Sequence, residues 1–295
     1  MLLTQLEYFL ALAREQHFGR AASSVYVTPS TLSESVRKLE TELGTPLVRR
    51  GRSVQGLTPE GEIVQRWARR IVADHQALTD EIAAARQWLA ARARLGAIPS
   101  GVAAIAGILN ALGEQHPLVT ASVTSGLTSE QIVSGIRSYE LDAGVIHPSA
   151  ADGPDLHVSS LSPVRSVVVS RADVLPPELS EVTGEQLVEL PLCLLEPRMR
   201  ARQLLDLRLR EHGLEAHPRV EADSVEMLLS LVARGSWVAV IPESSLRAGP
   251  ITGLRVLPLV VPEVLSPLAL VRMADQPTSP LAHAIDAAAA GFTRP

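Results

Sequence analysis

Residues 18–61 read FGRAASSVYVTPSTLSESVRKLETELGTPLVRRGRSVQGLTPEG, and this stretch decides the first domain. Thr28 can cap a helix, Pro29 falls at the first helical position where its missing N–H does no harm, and Gly44 suits the far end. Between them Leu32, Val36, Leu39 and Leu43 make an apolar stripe. The opposite face carries Ser30, Thr31, Ser33, Glu34, Arg37 and Lys38. Short hydroxyls near a helix start can reach base edges or phosphates, and Arg and Lys one turn later can neutralise backbone charge.

Working outward, residues 18–25 predict a short helix whose Ala21-Ala22 pair lets another helix approach closely. Leu3, Leu6, Phe9, Leu10 and Ala13 recur at helical spacing and predict a first helix, with Thr4 as its N-cap. Downstream, two β-prone runs flank Gly51 and predict a hairpin carrying Arg49, Arg50 and Arg52. Alone, those arginines would be a solvated surface cluster. Beside a helix–turn–helix they are expected to straddle a phosphate backbone, with double-stranded DNA as the partner. The expected DNA-contacting set is Thr28, Ser30, Thr31, Ser33, Arg37, Lys38, Arg50 and Arg52.

These motifs resemble the N-terminus of the LysR-type transcriptional regulators. That family's pattern is an AA pair, V-S-Q-P-x-L-S, LE, LG, LF-x-R and LT-x-x-G. The chain has Ala21-Ala22, Val27 to Ser33, Leu39-Glu40, Leu43-Gly44, Leu47-Val48-Arg49-Arg50 and Leu57-Thr58-Pro59-Glu60-Gly61, without gaps. Pro29 replaces the usual glutamine, which shifts sequence preference onto Thr28, Ser30, Thr31 and the wing. Val48 replaces phenylalanine, a change of wing packing.

The chain's 295 residues, 46% apolar, have room for more than one core. Its net charge of −5 is segregated. Residues 1–94 hold 13 basic and 10 acidic side chains, while residues 95–295 hold 14 and 22, as expected if one end meets phosphate. A reader of +3 is weak, so tight binding should need two copies on one DNA. Cys193, the single cysteine, excludes an intramolecular disulfide. With no secretion signal and no apolar run of about 18 residues, a soluble cytoplasmic protein is expected.

Neither glycine nor proline interrupts residues 62–95, and apolar side chains recur at Ile63, Trp67, Ile71, Leu78, Ile82, Ala85 and Leu89. Counting His75, the spacing from Ile71 alternates between four and three, a heptad seam. A helix over 59–92 cannot bury that stripe against a small winged domain. A second copy of the helix would cover it, with Trp67, Ile71, Leu78 and Ile82 as dimerisation residues; packing on the chain's own C-terminal domain is the other reading. The resemblance implies the dimer and its pairing into a tetramer, and admits RNA polymerase as a further partner.

Beyond residue 93, short apolar runs alternate with helical segments. Strands are predicted at 95–98, 119–124, 141–146, 167–170, 192–195, 220–222 and 238–241, and helices near 101–115, 129–138, 199–212, 224–234 and 280–291. The pattern indicates α/β units with mainly parallel sheets, whose ligands bind beyond strand carboxyl ends near helix N-termini. Ser100, Thr128, Ser129, His147, Arg198 and Arg202 fall in such loops and would suit a small carboxylate or similar anion. The hydroxyls could equally be helix caps, His147 a loop hydrogen-bonder, Asp223-Ser224 a cap or a cleft border. Arg200 reads as a solvated surface residue.

The resemblance implies the full layout: a winged helix-turn-helix at 1–58, a linker helix at 59–92 and an effector domain at 93–295. That last part would be periplasmic-binding-protein-like (type 2), with subdomain I at about 93–162 and 267–295 and subdomain II at about 163–266. Chain crossings are expected near 161–164 and 264–268. The sequence lacks GxSxG, GxxxxGK[ST], HExxH and any cysteine cluster, so neither an enzyme nor a bound cofactor or metal is expected. Residues 95–295 alone would also fit a solute-binding receptor, which the winged reader argues against.

Overall fold

The computed structural model describes residues 1–50, 54–84, 89–248, 253–274 and 277–292. Three helices, α1 (Leu3–Glu15), α2 (Phe18–Ser24) and α3 (Pro29–Leu43), precede a hairpin of β1 (Val48–Arg50) and β2 (Val54–Leu57). Leu6, Phe9, Leu12, Ala21, Ala22, Leu32, Val36, Leu39 and Leu47 form their shared core. Two expectations shift. Leu2, not Thr4, precedes the first helix, and Gln5 accepts the Leu2 N–H at 2.7 Å. Leu43 lies outside the buried stripe, since the chain turns away at Gly44.

Helix α4 (Pro59–Ala84) carries two stripes rather than one. Val64, Ala68, Ile71 and Val72 pack against the N-terminal core, so Ile71, expected for dimerisation, is partly buried by its own chain. Ile63, Trp67, Leu78 and Ile82 stay about half or more exposed. The helix is also shorter than expected. Ala85 lies outside the described residues, and Leu89, expected on the seam, is instead buried in the core of the next domain. No described helix is long and apolar enough to cross a membrane.

The C-terminal region alternates β3 (Arg92–Ala97), α5 (Val102–Gln115), β4 (Thr120–Ser125), α6 (Ser129–Arg137), β5 (Ala143–Ile146) and β6 (Leu156–Arg171). It continues through β7 (Val182–Thr183), α7 (Gly184–Val188), β8 (Leu192–Leu195), α8 (Arg200–Glu211), β9 (Val220–Ala222), α9 (Val225–Arg234) and β10 (Val238–Pro242). The chain returns by β11 (Leu254–Val260) and β12 (Leu265–Met273) and ends on α10 (Pro280–Ala290). Strands β4, β3 and β5 pair in parallel, as do β9, β8 and β10. Antiparallel strands join the two sets, so the sheets are mixed rather than mainly parallel.

Strand β6 passes from one unit to the other without a break. Its residues 156–165 pair with β12, and 166–171 pair with β10 and β11. The return crossing runs between the end of β11 and the start of β12, where the Ser166 N–H donates to the Val264 carbonyl at 2.8 Å. Each unit has its own apolar interior: one around Leu95, Ile108, Ile132 and Leu270, the other around Val168, Leu194, Leu209 and Val240.

Candidate nucleic-acid interface and ligand cleft

Thr28 caps α3 as its position suggests. Its Oγ1 accepts the Thr31 N–H at 3.2 Å and lies 2.8 Å from both the Ser30 and Thr31 hydroxyls. Thr28, Ser30 and Thr31 are exposed at the helix start, and Ser33 is half-buried one turn on. Arg37 and Lys38 are exposed, Lys38 pairing with Glu34 at 2.8 Å. That pairing holds the Glu34 carboxyl below its ordinary range. The expected face is therefore assembled on one helix. Arg52 and the side chain of Arg50 lie outside what is described; Arg49 on β1 is exposed.

The wing is tied to α3. Glu40 Oε1 accepts the N–H groups of Leu47 at 2.9 Å and Val48 at 3.3 Å, which aims β1 from the recognition helix itself. Thr58 closes the far side: its hydroxyl donates to the Pro46 carbonyl at 2.7 Å, and its oxygen accepts the Gly61 N–H at 2.9 Å. A Cβ at residue 61 would run into the Leu47 carbonyl oxygen, which accounts physically for the glycine of the LT-x-x-G motif.

In the C-terminal region, Ser100, Thr128, Ser129 and His147 stand at strand-end loops. Ser100 is buried in a single 3₁₀ turn, and its carbonyl accepts the Ser244 hydroxyl from the other unit at 3.3 Å. Thr128 caps α6 in a reciprocal box with Gln131 and remains exposed. Ser129 Oγ accepts the His147 backbone N–H at 3.2 Å, leaving its own proton to donate. His147 Nδ1 lies 3.1 Å from the Pro267 carbonyl. A carbonyl only accepts, so Nδ1 carries the proton. Burial first, then the Arg200 charge, pushes the imidazole pKa below its ordinary value, against the Pro267 contact and Glu130. The shift favours the neutral ring, with its Nδ1–H given to β12 of the same unit.

The expected arginines are corrected by their partners. Arg202 is buried; its Nε donates to Asp206 at 2.8 Å, and one terminal nitrogen donates to Glu221 at 2.8 Å and the Leu195 carbonyl at 2.9 Å. Two carboxylates already neutralise it, so it braces α8 against β8 and β9 and offers no charge to a ligand. Arg198 is exposed and paired with Glu196. Arg200, passed over in the sequence, is the exposed first residue of α8, with no ion pair among the described residues and close enough to His147 to act on its titration. Position in the first helical turn was the available signal; the burial of its neighbour two residues on was not visible in the sequence. A separate cavity of about 500 Å³ adjoins the crossing strands, bordered by Leu161, Arg165, Glu243, Glu263 and Phe292.

Comparison with known proteins places both halves. Residues 86–290 match the LysR substrate binding domain, and residues 3–62 match the bacterial regulatory helix-turn-helix protein of the lysR family. The chain is similar to the HTH-type transcriptional regulator TtuA of Agrobacterium vitis, 29% identical over 88% of this chain and 86% of that one. It is 31% identical to a probable hydrogen peroxide-inducible genes activator of Mycobacterium avium, over 81% and 77% of the respective lengths. Among solved structures, a full-length OxyR variant from Pseudomonas aeruginosa superposes with a TM-score of 0.76 at 28% identity, covering 99% of this chain and 94% of that one. With a helix-turn-helix reader at one end and an effector-binding domain at the other, the chain belongs to the LysR family of DNA-binding transcriptional regulators.

Proposed function

We propose that the start of α3 enters a major groove, with Thr28, Ser30 and Thr31 at the base edges and Arg37, Lys38, Arg50 and Arg52 on the phosphates. Ser33 supports the hydroxyl end from the following turn. The observation that carries this is the cluster of three exposed hydroxyls at the helix start, beside a wing held to the same helix by Glu40. Thr31→Ala should change preference among sites. Arg50→Ala should weaken binding on all sequences and lower the slope of log K against log salt by about one. Filter binding on specific and random duplexes decides; equal loss on both for Thr31→Ala would remove its base-reading role.

A second copy of the chain is the proposed cover for Trp67, Leu78 and Ile82, which no described residue of the same chain buries. The proposed domains are the reader at 1–58, the linker at 59–92 and the effector region at 93–295. The proposed ligand is a small carboxylate held between the two units by the Ser129 hydroxyl, Thr128, Ser100 and Arg200, with Arg200 taking the electrostatic part expected of Arg198 or Arg202; His147, its Nδ1–H given to Pro267, keeps only an acceptor nitrogen and borders the ligand without donating to it. Occupancy would then change how the paired readers meet DNA, and so what RNA polymerase meets at the promoter. A thiol-based response is not proposed: Cys193 is buried and burial pushes its pKa up to about 11, leaving almost no thiolate at neutral pH.

A further inference from the structure

We infer that Tyr26, in the turn between α2 and α3, is a DNA-backbone contact, its phenol donating to a phosphate beside the groove that α3 enters. Three observations meet at this residue. Its φ is +58°, in the left-handed region, where a bulky side chain is out of place. Its side chain is 95% exposed. Its hydroxyl makes no hydrogen bond among the described residues; the residue bonds through its backbone N–H.

The turn itself explains why the left-handed residue is needed and why tyrosine is not. The Tyr26 N–H donates to the Ser23 carbonyl at 3.3 Å and the Val27 N–H donates to the Ala22 carbonyl at 3.0 Å, the paired bonds that close a helix C-terminus. Helix α3 ends in the same way: Gly44, at φ +71°, donates to Thr41 and Thr45 donates to Glu40. One terminus uses the glycine that the geometry favours. The other carries an aromatic that adds strain and buries nothing, so the folded monomer gains nothing from its ring. The gain must come from something outside the monomer. Tyr26 lies two residues before the Thr28 cap, at the rim of the exposed Ser30–Thr31 end. A phenol there can donate to a phosphate oxygen, a contact that sets register without reading sequence.

This rests on the groove assignment for α3, so Thr31→Ala is measured alongside as its separate test. The full-length protein is titrated with labelled specific and random-sequence duplexes across a salt series. Tyr26→Phe should weaken binding about tenfold on all sequences, the value of a hydrogen bond to a charged acceptor. Tyr26→Asn should weaken it at least as much while keeping or raising the thermal midpoint, because asparagine tolerates the left-handed region. Since tyrosine is neutral, the salt slope should not change. Wild-type affinity in both variants, an altered sequence preference, or a lowered midpoint in both would each overturn the assignment.

Discussion

At the scale of single residues, the cleft turns on two arginines two positions apart on α8. Arg202 spends its guanidinium on Asp206, Glu221 and a backbone carbonyl, all inside its own unit. Replacing it with alanine leaves two carboxylates without their partner, and Arg202→Ala should cost about 2 kcal/mol of stability. Arg200 holds no such bonds, so Arg200→Ala should leave the thermal midpoint within about 1 °C of wild type. Under the carboxylate proposal, it should also abolish the midpoint rise that a binding carboxylate gives. Calorimetric scans of both variants, with and without a panel of small carboxylates, separate the roles. A stabilising carboxylate that still works on Arg200→Ala would return the anion to another group.

At the scale of elements, α4 shows what a linear pattern holds and what it hides. Its existence followed from the run free of glycine and proline; its division into two stripes did not, because periodicity does not say which partner covers a face. Val64, Ala68 and Ile71 look as apolar as Trp67 and Leu78, and only the fold assigns the first set to α1. Strands β8 and β9 were legible as short apolar runs. Strand β12 was not, since Pro267 reads as a breaker; it sits at the irregularity between Ser266 and Leu268, where the ladder has no bond for proline to remove. The helix N-caps Thr28, Thr128 and Ser224 were legible because capping is local, whereas the partners of Arg202 lie 4 and 19 positions away. Asp80, on the same α4, is buried; burial raises its pKa, Asp142 adds to this, and the Gln76 amide, donating at 2.8 Å, opposes it. A carboxyl with a raised folded pKa binds its proton more tightly in the native state, so its contribution is greatest at low pH and is lost as pH rises through that value. Asp80→Asn should therefore raise the midpoint at pH 7 by roughly 2 °C and change it little near pH 4. An equal shift at both pH values would contradict this origin.

At the scale of the whole molecule, the two sensor units share β6 and are bridged by the Ser244 hydroxyl on the Ser100 carbonyl. A ligand drawn between them changes the spacing of groups that contact already holds. The reader is reached through α4, which packs on α10 and carries Arg69, 2.5 Å from Glu140 just past α6. That ion pair lies between the unit that would hold the ligand and the helix that would hold the second copy. Couplings of this kind are typically worth about 1–3 kcal/mol, or roughly 5- to 150-fold in affinity, and one half-exposed ion pair supplies only part of that. Glu140→Gln should leave carboxylate binding intact, measured by calorimetry, while reducing the ligand-dependent change in the DNase footprint and in the DNA bend. An unchanged footprint response in Glu140→Gln would route the coupling through the α4–α10 packing instead, and an unchanged footprint in the wild type at saturating ligand would remove the linkage altogether.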